Sequence, residues 1–328
     1  MQLTDPFGRT IDYLRLSITD RCDLRCVYCM PDGFDDYEAP ESWLTFDEIE
    51  RVVRIFGELG VAHIRMTGGE PLVRKGVVEL SARLAQLDGI DDLSLSTNCV
   101  KMKKFAQPLK DAGVSRINVS LDSLNPEKFK EITGGGKLSK VLDGLMAAKD
   151  AGFTPIKLNA VAMKGVNDDE LGDMVEFCLE HNFTLRFIET MPMGETGCRA
   201  KDSHYLDLNI IRQELEKKFE LVPSVMPGAG PARYFKIKGT DFNFGFITPI
   251  SQHFCETCNR IRLSCDGTLY MCLGQDESFS LRPLLRGGAT NDELKDAIHH
   301  ALTLKPEQHE FESEQKEQVV RFMNMTGG

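Results

Sequence analysis

Between residues 11 and 190 the chain alternates short β-branched runs with amphipathic helical stretches, and six such units in succession leave few architectures open. The runs are DYLRLSI, AHIRMT, DLSLST, RINVSL, IKLNAVAM and TLRFIET. The helix between the first two illustrates the signal. Thr45 is followed three residues later by Glu48, the pattern of a capping box. Ile49, Val52, Val53, Phe56 and Leu59 then share one face, and Gly60 ends the turn. Strands joined through helices run parallel with right-handed crossovers. Six units fall short of the eight that close a barrel. The expected fold is therefore α/β, an incomplete (β/α)6 TIM-like barrel over residues 1–200, with an open Rossmann-like sheet as the alternative.

After residue 191 the rhythm breaks. MPMGETGCRAKDSH reads as a loop, LNIIRQELEKKFE as a helix, VPSVMPGAGPA as a connector and RYFKIKGTDFNFGFITPI as a hairpin. Helices are expected around 280–286 and 291–302, and the polar stretch from 306 reads as a mobile tail. Residues 201–328 thus form an α+β extension.

Ligands bind at the C-terminal ends of parallel barrel strands. Those ends here are polar or glycine-rich: TGGEP, STN, SLDS and ETMPMG. Arg15, Arg65, Lys157 and Arg186 each sit inside an otherwise apolar strand. Helices cover the outside of a barrel, so such cations belong to the lumen. Four of them converging imply a polyanion such as a nucleoside triphosphate, unless they pair internally with Glu189 or Asp122.

Ten cysteines in a chain without a basic-then-apolar leader point to a cytoplasmic protein with reduced thiols. Metal ligands are then expected rather than disulfides. Cys22, Cys26 and Cys29 follow the first strand in a C-x3-C-x2-C pattern. A structural zinc site normally takes a fourth Cys or His, and no His stands nearby. Three thiolates suit a [4Fe–4S] cluster with one open iron. A second group, FCETCNRIRLSCDGTLYMC, is either a four-cysteine zinc ribbon or a further three-ligand cluster on Cys255, Cys258 and Cys272, with Cys265 as a competing ligand. A net charge of −11 argues against nucleic acid and anionic membranes as partners. No run of 18 apolar residues is present.

C-x3-C-x2-C with Tyr28 before its last cysteine, followed by TGGEP after the second strand, resembles the radical S-adenosylmethionine superfamily. The second cysteine group with RIR directly after Cys258, the LRLSITDRC opening, RFIE and the terminal Gly327-Gly328 resemble its GTP 3′,8-cyclase family, which opens molybdenum cofactor biosynthesis. The resemblance implies two [4Fe–4S] clusters and S-adenosylmethionine lined by Tyr28, Gly69, Ser120 and Met191. It implies GTP held by Arg15, Arg65, Ser96, Lys157, Arg186, Arg260 and Arg262, and Gly327-Gly328 entering the pocket. A low-potential electron donor and cyclic pyranopterin monophosphate synthase, the next enzyme, would be its partners; a homodimer is left open. The family's glycine after TN is Cys99 here. A peptide-modifying radical enzyme and a non-enzymatic zinc or iron–sulfur scaffold are the competing readings.

Overall fold

The computed structural model describes residues 2–226, 230–311 and 321–327. The six β-branched runs become β1 (Tyr13–Ser17), β2 (His63–Thr67), β3 (Asp92–Thr97), β4 (Arg116–Ser120), β5 (Ile156–Ala162) and β6 (Thr184–Glu189). The region beyond adds β7 (Leu221–Ser224), β8 (Arg233–Ile237), β9 (Asn243–Ile247), β10 (Arg260–Leu263), β11 (Thr268–Tyr270) and β12 (Ser278–Ser280). All twelve described strands form one sheet in the order β12-β11-β10-β1-β2-β3-β4-β5-β6-β9-β8-β7. β12 and β7 are its two edges, so the barrel is open.

The parallel run is longer than six. β10 pairs parallel with β1, and β9 pairs parallel with β6, giving eight consecutive parallel strands. Antiparallel pairs then extend each side. Local pattern marked β8 and β9 as a hairpin, and they are one. It carried no information on the third neighbour.

The helix Phe46–Glu58 starts as its residues dictate. Thr45 Oγ1 accepts from the Glu48 N–H at 3.2 Å, while Glu48 Oε2 accepts from the Thr45 N–H at 2.7 Å. Its Ile49, Val52, Val53 and Phe56 are buried against the sheet's outer face. Leu14, Leu16, Ile64, Met66, Leu95, Leu158 and Phe187 complete that layer. The alternate positions face the lumen, and register aligns them: Arg15 opposite Arg65 and Arg262, Arg65 opposite Ser94, Ser96 opposite Asn118, Asn118 opposite Lys157, and Asn159 opposite Arg186. The period of two thus sorts apolar residues outward under helices and polar ones inward.

Three local expectations are corrected. Gly194–His204 is a helix rather than a loop. Its buried face consists of Gly194, Thr196, Gly197, Cys198 and Ala200, small residues that leave no apolar stripe in the sequence. They allow close approach: a Cβ on Gly197 would stand 2.6 Å from the Met191 carbonyl oxygen. The connector contains β7, an edge strand, where Pro223 opposite Phe235 is tolerated. Much of the described stretch from 306 packs: Phe311 and Met323 join Met193 and Ile250 in a small apolar cluster, and Met323–Thr326 forms a helical turn, while Glu307 and Gln308 are exposed. Residues 312–320 and Gly328 lie outside the described residues. Expected helices at Leu208–Lys218, Arg282–Arg286 and Asn291–Leu302 are present. Among the described residues no helix is long and apolar enough to cross a membrane.

Candidate functional site

The loop after β1 carries Cys22, Cys26 and Cys29 to the wall of one cavity, which Tyr28, Gly69, Ser96, Ser120 and Met191 also line. Gly69 is required by proximity. Its N–H donates to the Thr19 carbonyl at 2.8 Å, and a Cβ there would meet the Arg21 carbonyl oxygen at 2.4 Å. Glu70 fastens this segment to the next strand end, accepting from the Leu72 N–H at 3.0 Å, Thr97 Oγ1 at 2.8 Å and the Asn98 N–H at 2.6 Å. Burial nevertheless lifts its carboxyl to about 7. Tyr28 donates to Asp122 Oδ2 at 2.7 Å, and the Val161 N–H donates to Asp122 Oδ1 at 2.8 Å. Burial raises Asp122 to about 6.

All three thiols of this loop are free, and burial pushes each upward, Cys22 and Cys29 to about 12. Such buried thiols become thiolates when a metal centre supplies the positive charge. Among the described residues no three His, Cys, Asp or Glu side chains converge closely enough for a single metal ion. Thiols spread round a cavity fit a multi-iron cluster, in which each thiolate takes a different iron. Ser96 Oγ, Asn159 Oδ1 and Thr190 Oγ1, all on this cavity, are buried without a hydrogen-bond partner. The space is therefore suited to a polar ligand.

A second cavity is lined by Arg15, Arg65, Arg186, Arg260 and Arg262 together with Cys255, Cys258 and Cys272. The two cavities meet on Asn159, Ile188 and Met191. Lys157 lines neither; its Nζ lies 5.9 Å from the Tyr234 ring. Burial, then Arg186, Arg116 and Arg65, lowers the Lys157 ammonium to about 7. Burial, then the neighbouring Arg262 and Arg65, likewise depresses Arg15. Internal pairing does not account for this set. Among the described residues Arg15, Arg65, Lys157 and Arg186 make no salt bridge with any carboxylate. Glu189 is occupied by the Ile250 and Ser251 N–H groups and by Ser251 Oγ, and Asp122 by Tyr28 and Val161. Buried charge of one sign costs several kcal/mol per ion, roughly, unless an opposite charge enters.

Several residues escaped the sequence reading. Tyr13 lies between two of the arginines, with its ring centroid 5.2 Å from Arg65 and 5.6 Å from Arg260. Lys305 contacts Cys258. On the wall of the second cavity, the His309 ring packs tilted against Phe311, with centroids 4.3 Å apart, and against His253 at 4.9 Å. None of these has a periodic signal; only their spacing in space links them. Gly327, which the resemblance puts in the pocket, accepts from Arg262 Nη1 at 3.0 Å through its carbonyl. Cys265 stands apart from the second cavity, with its carbonyl bonded to the Leu44 N–H. Cys178 is core, as its helical context indicated. Cys99 keeps the left-handed φ of 66° that its glycine-like position demands.

The Radical SAM superfamily model matches residues 16–178, and the Molybdenum Cofactor Synthesis C model matches residues 183–311. The GTP 3′,8-cyclase of Marinobacter nauticus is 45% identical over 328 residues, covering 100% of this chain and 99% of the relative. That of Ectopseudomonas mendocina is 46% identical over 328 residues with the same coverage of both, 100% and 99%. Among solved structures, Streptococcus suis SuiB bound to S-adenosylmethionine aligns with a TM-score of 0.64 over 96% of this chain and 77% of that one. At 15% identity that likeness shows the fold alone. The radical SAM family implies a [4Fe–4S] cluster and S-adenosylmethionine, and the donor set of the first cavity fits them. With relatives alike from end to end, the chain belongs to the GTP 3′,8-cyclase family of the radical SAM superfamily.

Proposed function

We propose that the protein converts GTP to 3′,8-cyclo-7,8-dihydro-GTP, the first step of molybdenum cofactor biosynthesis. The observation that carries this reading is the junction of a three-thiol cavity with a second cavity that holds five arginines and three further thiols. In this reading Cys22, Cys26 and Cys29 hold the first cluster, and Tyr28, Gly69, Ser120 and Met191 surround S-adenosylmethionine. Cys255, Cys258 and Cys272 hold a second [4Fe–4S] cluster. Arg15, Arg65, Ser96, Lys157, Arg186, Arg260 and Arg262 bind the substrate. Residues 1–200 supply the radical site, and residues 201–328 supply most of the guanine side.

When bound, the first cluster, which Cys22, Cys26 and Cys29 would hold, and S-adenosylmethionine, which Tyr28, Gly69, Ser120 and Met191 would surround, would supply radical hydrogen-abstraction chemistry at C3′ of the ribose. The chain's own residues set the geometry. The lumen cations neutralise the triphosphate and fix its position by charged hydrogen bonds. Asn159, Ile188 and Met191 line both cavities, so they bound the space in which the radical carbon and ribose meet. The enclosing strands exclude water, which keeps a carbon radical from side reactions. A polyanion neutralises Arg15, Arg65 and Arg186, which make no salt bridge among the described residues, and a neutral peptide does not. Electrons come from a low-potential donor in the cytoplasm, and the next enzyme, cyclic pyranopterin monophosphate synthase, accepts the product.

Anaerobic incubation with GTP, S-adenosylmethionine and reductant, followed by mass analysis, tests the reading. Cyclised nucleotide and 5′-deoxyadenosine are the expected products. Cys26→Ala is expected to abolish 5′-deoxyadenosine, whereas Cys258→Ala chiefly removes the cyclised nucleotide. Zinc in place of iron at the second site, or no cyclised product from fully loaded protein, refutes it.

A further inference from the structure

The segment after the Asn291–Leu302 helix wraps the second thiol group. Lys305 is 3% exposed. Its Nζ donates to the Met271 carbonyl at 2.7 Å and to the Arg260 carbonyl at 3.0 Å, and lies 3.7 Å from Cys258 Sγ. The three protons of an ammonium group therefore have three acceptors. Two of them are neutral carbonyls, which an uncharged amide could serve equally well. The third is sulfur. Among the described residues Lys305 makes no salt bridge with a carboxylate, so nothing else there compensates a buried charge.

Among the described residues Cys258 is the thiol of the second cavity whose sulfur meets an ammonium, Lys305 Nζ at 3.7 Å. The second site therefore has one thiol marked out by a dedicated cation, while its partners have none bonded to them. A hydrogen bond from a cation to a ligating sulfur favours the reduced, more negative state of an iron–sulfur cluster.

We propose that Lys305 is a positioning and charge-balancing residue of the second cluster, donating to the Cys258 thiolate and raising that cluster's reduction potential. This rests on the reading of Cys255, Cys258 and Cys272 as cluster ligands. The same ammonium clamps the backbone at Arg260 and Met271, so it also ties the strand bearing the R-x-R pair to the turn that precedes Cys272. Charge and clamp are separable by substitution. Glutamine keeps donors for the carbonyls and loses the charge; arginine keeps the charge.

The test is a redox titration of the anaerobic holoenzyme, followed by electron paramagnetic resonance, with iron content measured alongside. Wild type is expected to show two reduction steps. In Lys305→Gln one step moves to lower potential by about a tenfold change in the oxidised-to-reduced ratio, about 59 mV for one electron. The other step stays in place, and Lys305→Arg retains most of the wild-type value. An unmoved potential in Lys305→Gln protein with both clusters present overturns the proposal and leaves the second cluster standing. A single cluster in wild type overturns both. If Lys305→Gln sheds the second cluster, Lys305→Arg decides: retention supports the charge role, and equal loss assigns Lys305 to packing and overturns it.

Discussion

GTP binding becomes a proton-uptake reaction with Lys157 as a substrate-binding cation, as proposed above. With its ammonium lowered to about 7 by burial and three arginines, the free protein carries a mostly neutral amine at pH 8. The neutral fraction there is ~0.9, and at pH 6 it is only ~0.1. A bound triphosphate supplies the opposite charge that burial withheld and returns the group toward its ordinary value of about 10.4. Binding GTP at pH 8 is therefore expected to take up ~0.9 proton from the buffer. Calorimetric titrations in two buffers of different ionisation enthalpy, at one pH, read this number directly. Linkage gives the accompanying trend: GTP affinity is expected to fall up to about tenfold per pH unit above 7. The sign for stability runs the other way. Between pH 7 and 10 the unfolded chain binds the proton that the ligand-free fold does not, so the free protein gains stability as pH rises through that window. Lys157→Arg stays charged throughout and is expected to bind GTP without uptake. Buffer-independent heats in wild type at pH 8, or undiminished uptake in Lys157→Arg, would refute the reasoning.

Arg260→Ala and Arg262→Ala should each weaken GTP binding by about 1.5–3 kcal/mol without altering iron content, read by equilibrium binding and metal analysis. Gly327→Ala should unseat the chain's end, because a Cβ at its φ of 70° would fall 2.3 Å from the Thr67 side chain. Cyclised product is expected to drop while iron content and the main unfolding transition hold, as judged by mass analysis and calorimetry. Cys99→Gly should be more stable than Cys99→Ala by about 1–2 kcal/mol in denaturant unfolding, since only glycine relieves the left-handed backbone at φ 66°.

The lumen was legible because a period of two puts Arg15, Arg65, Lys157 and Arg186 among residues that otherwise face helices. A cation in that setting has one inward place to go. Spacing set the first cysteine loop apart, whereas in the second group it left a zinc ribbon and a three-ligand cluster both open; Thr45 with Glu48 announced a helix that formed. What stayed hidden lacked a local signature. The Gly194–His204 helix packs through small residues, so its buried face looks polar in one dimension. β9 reads as half of a hairpin and β10 is hidden inside the second cysteine group, and their parallel partners β6 and β1 are chosen by closure of the sheet. Lys305 is one lysine at the end of a helix; its partners Arg260 and Met271 are 45 and 34 residues away along the chain.

The place of β10 has a bearing on how the chain is made. β1 spans Tyr13–Ser17, yet its outer neighbour is Arg260–Leu263, and β6 likewise waits for Asn243–Ile247. At ribosomal speeds of about 5–20 residues per second, the edge of β1 stays unpaired for roughly ten to fifty seconds after it emerges. Throughout that interval a row of backbone donors and acceptors is open to another nascent chain. The loop bearing Cys22, Cys26 and Cys29 has emerged by then, while Met323 and Asn324, which border its cavity, follow far later. Vectorial synthesis thus leaves the first thiol site incomplete until those residues emerge, giving iron–sulfur delivery a window.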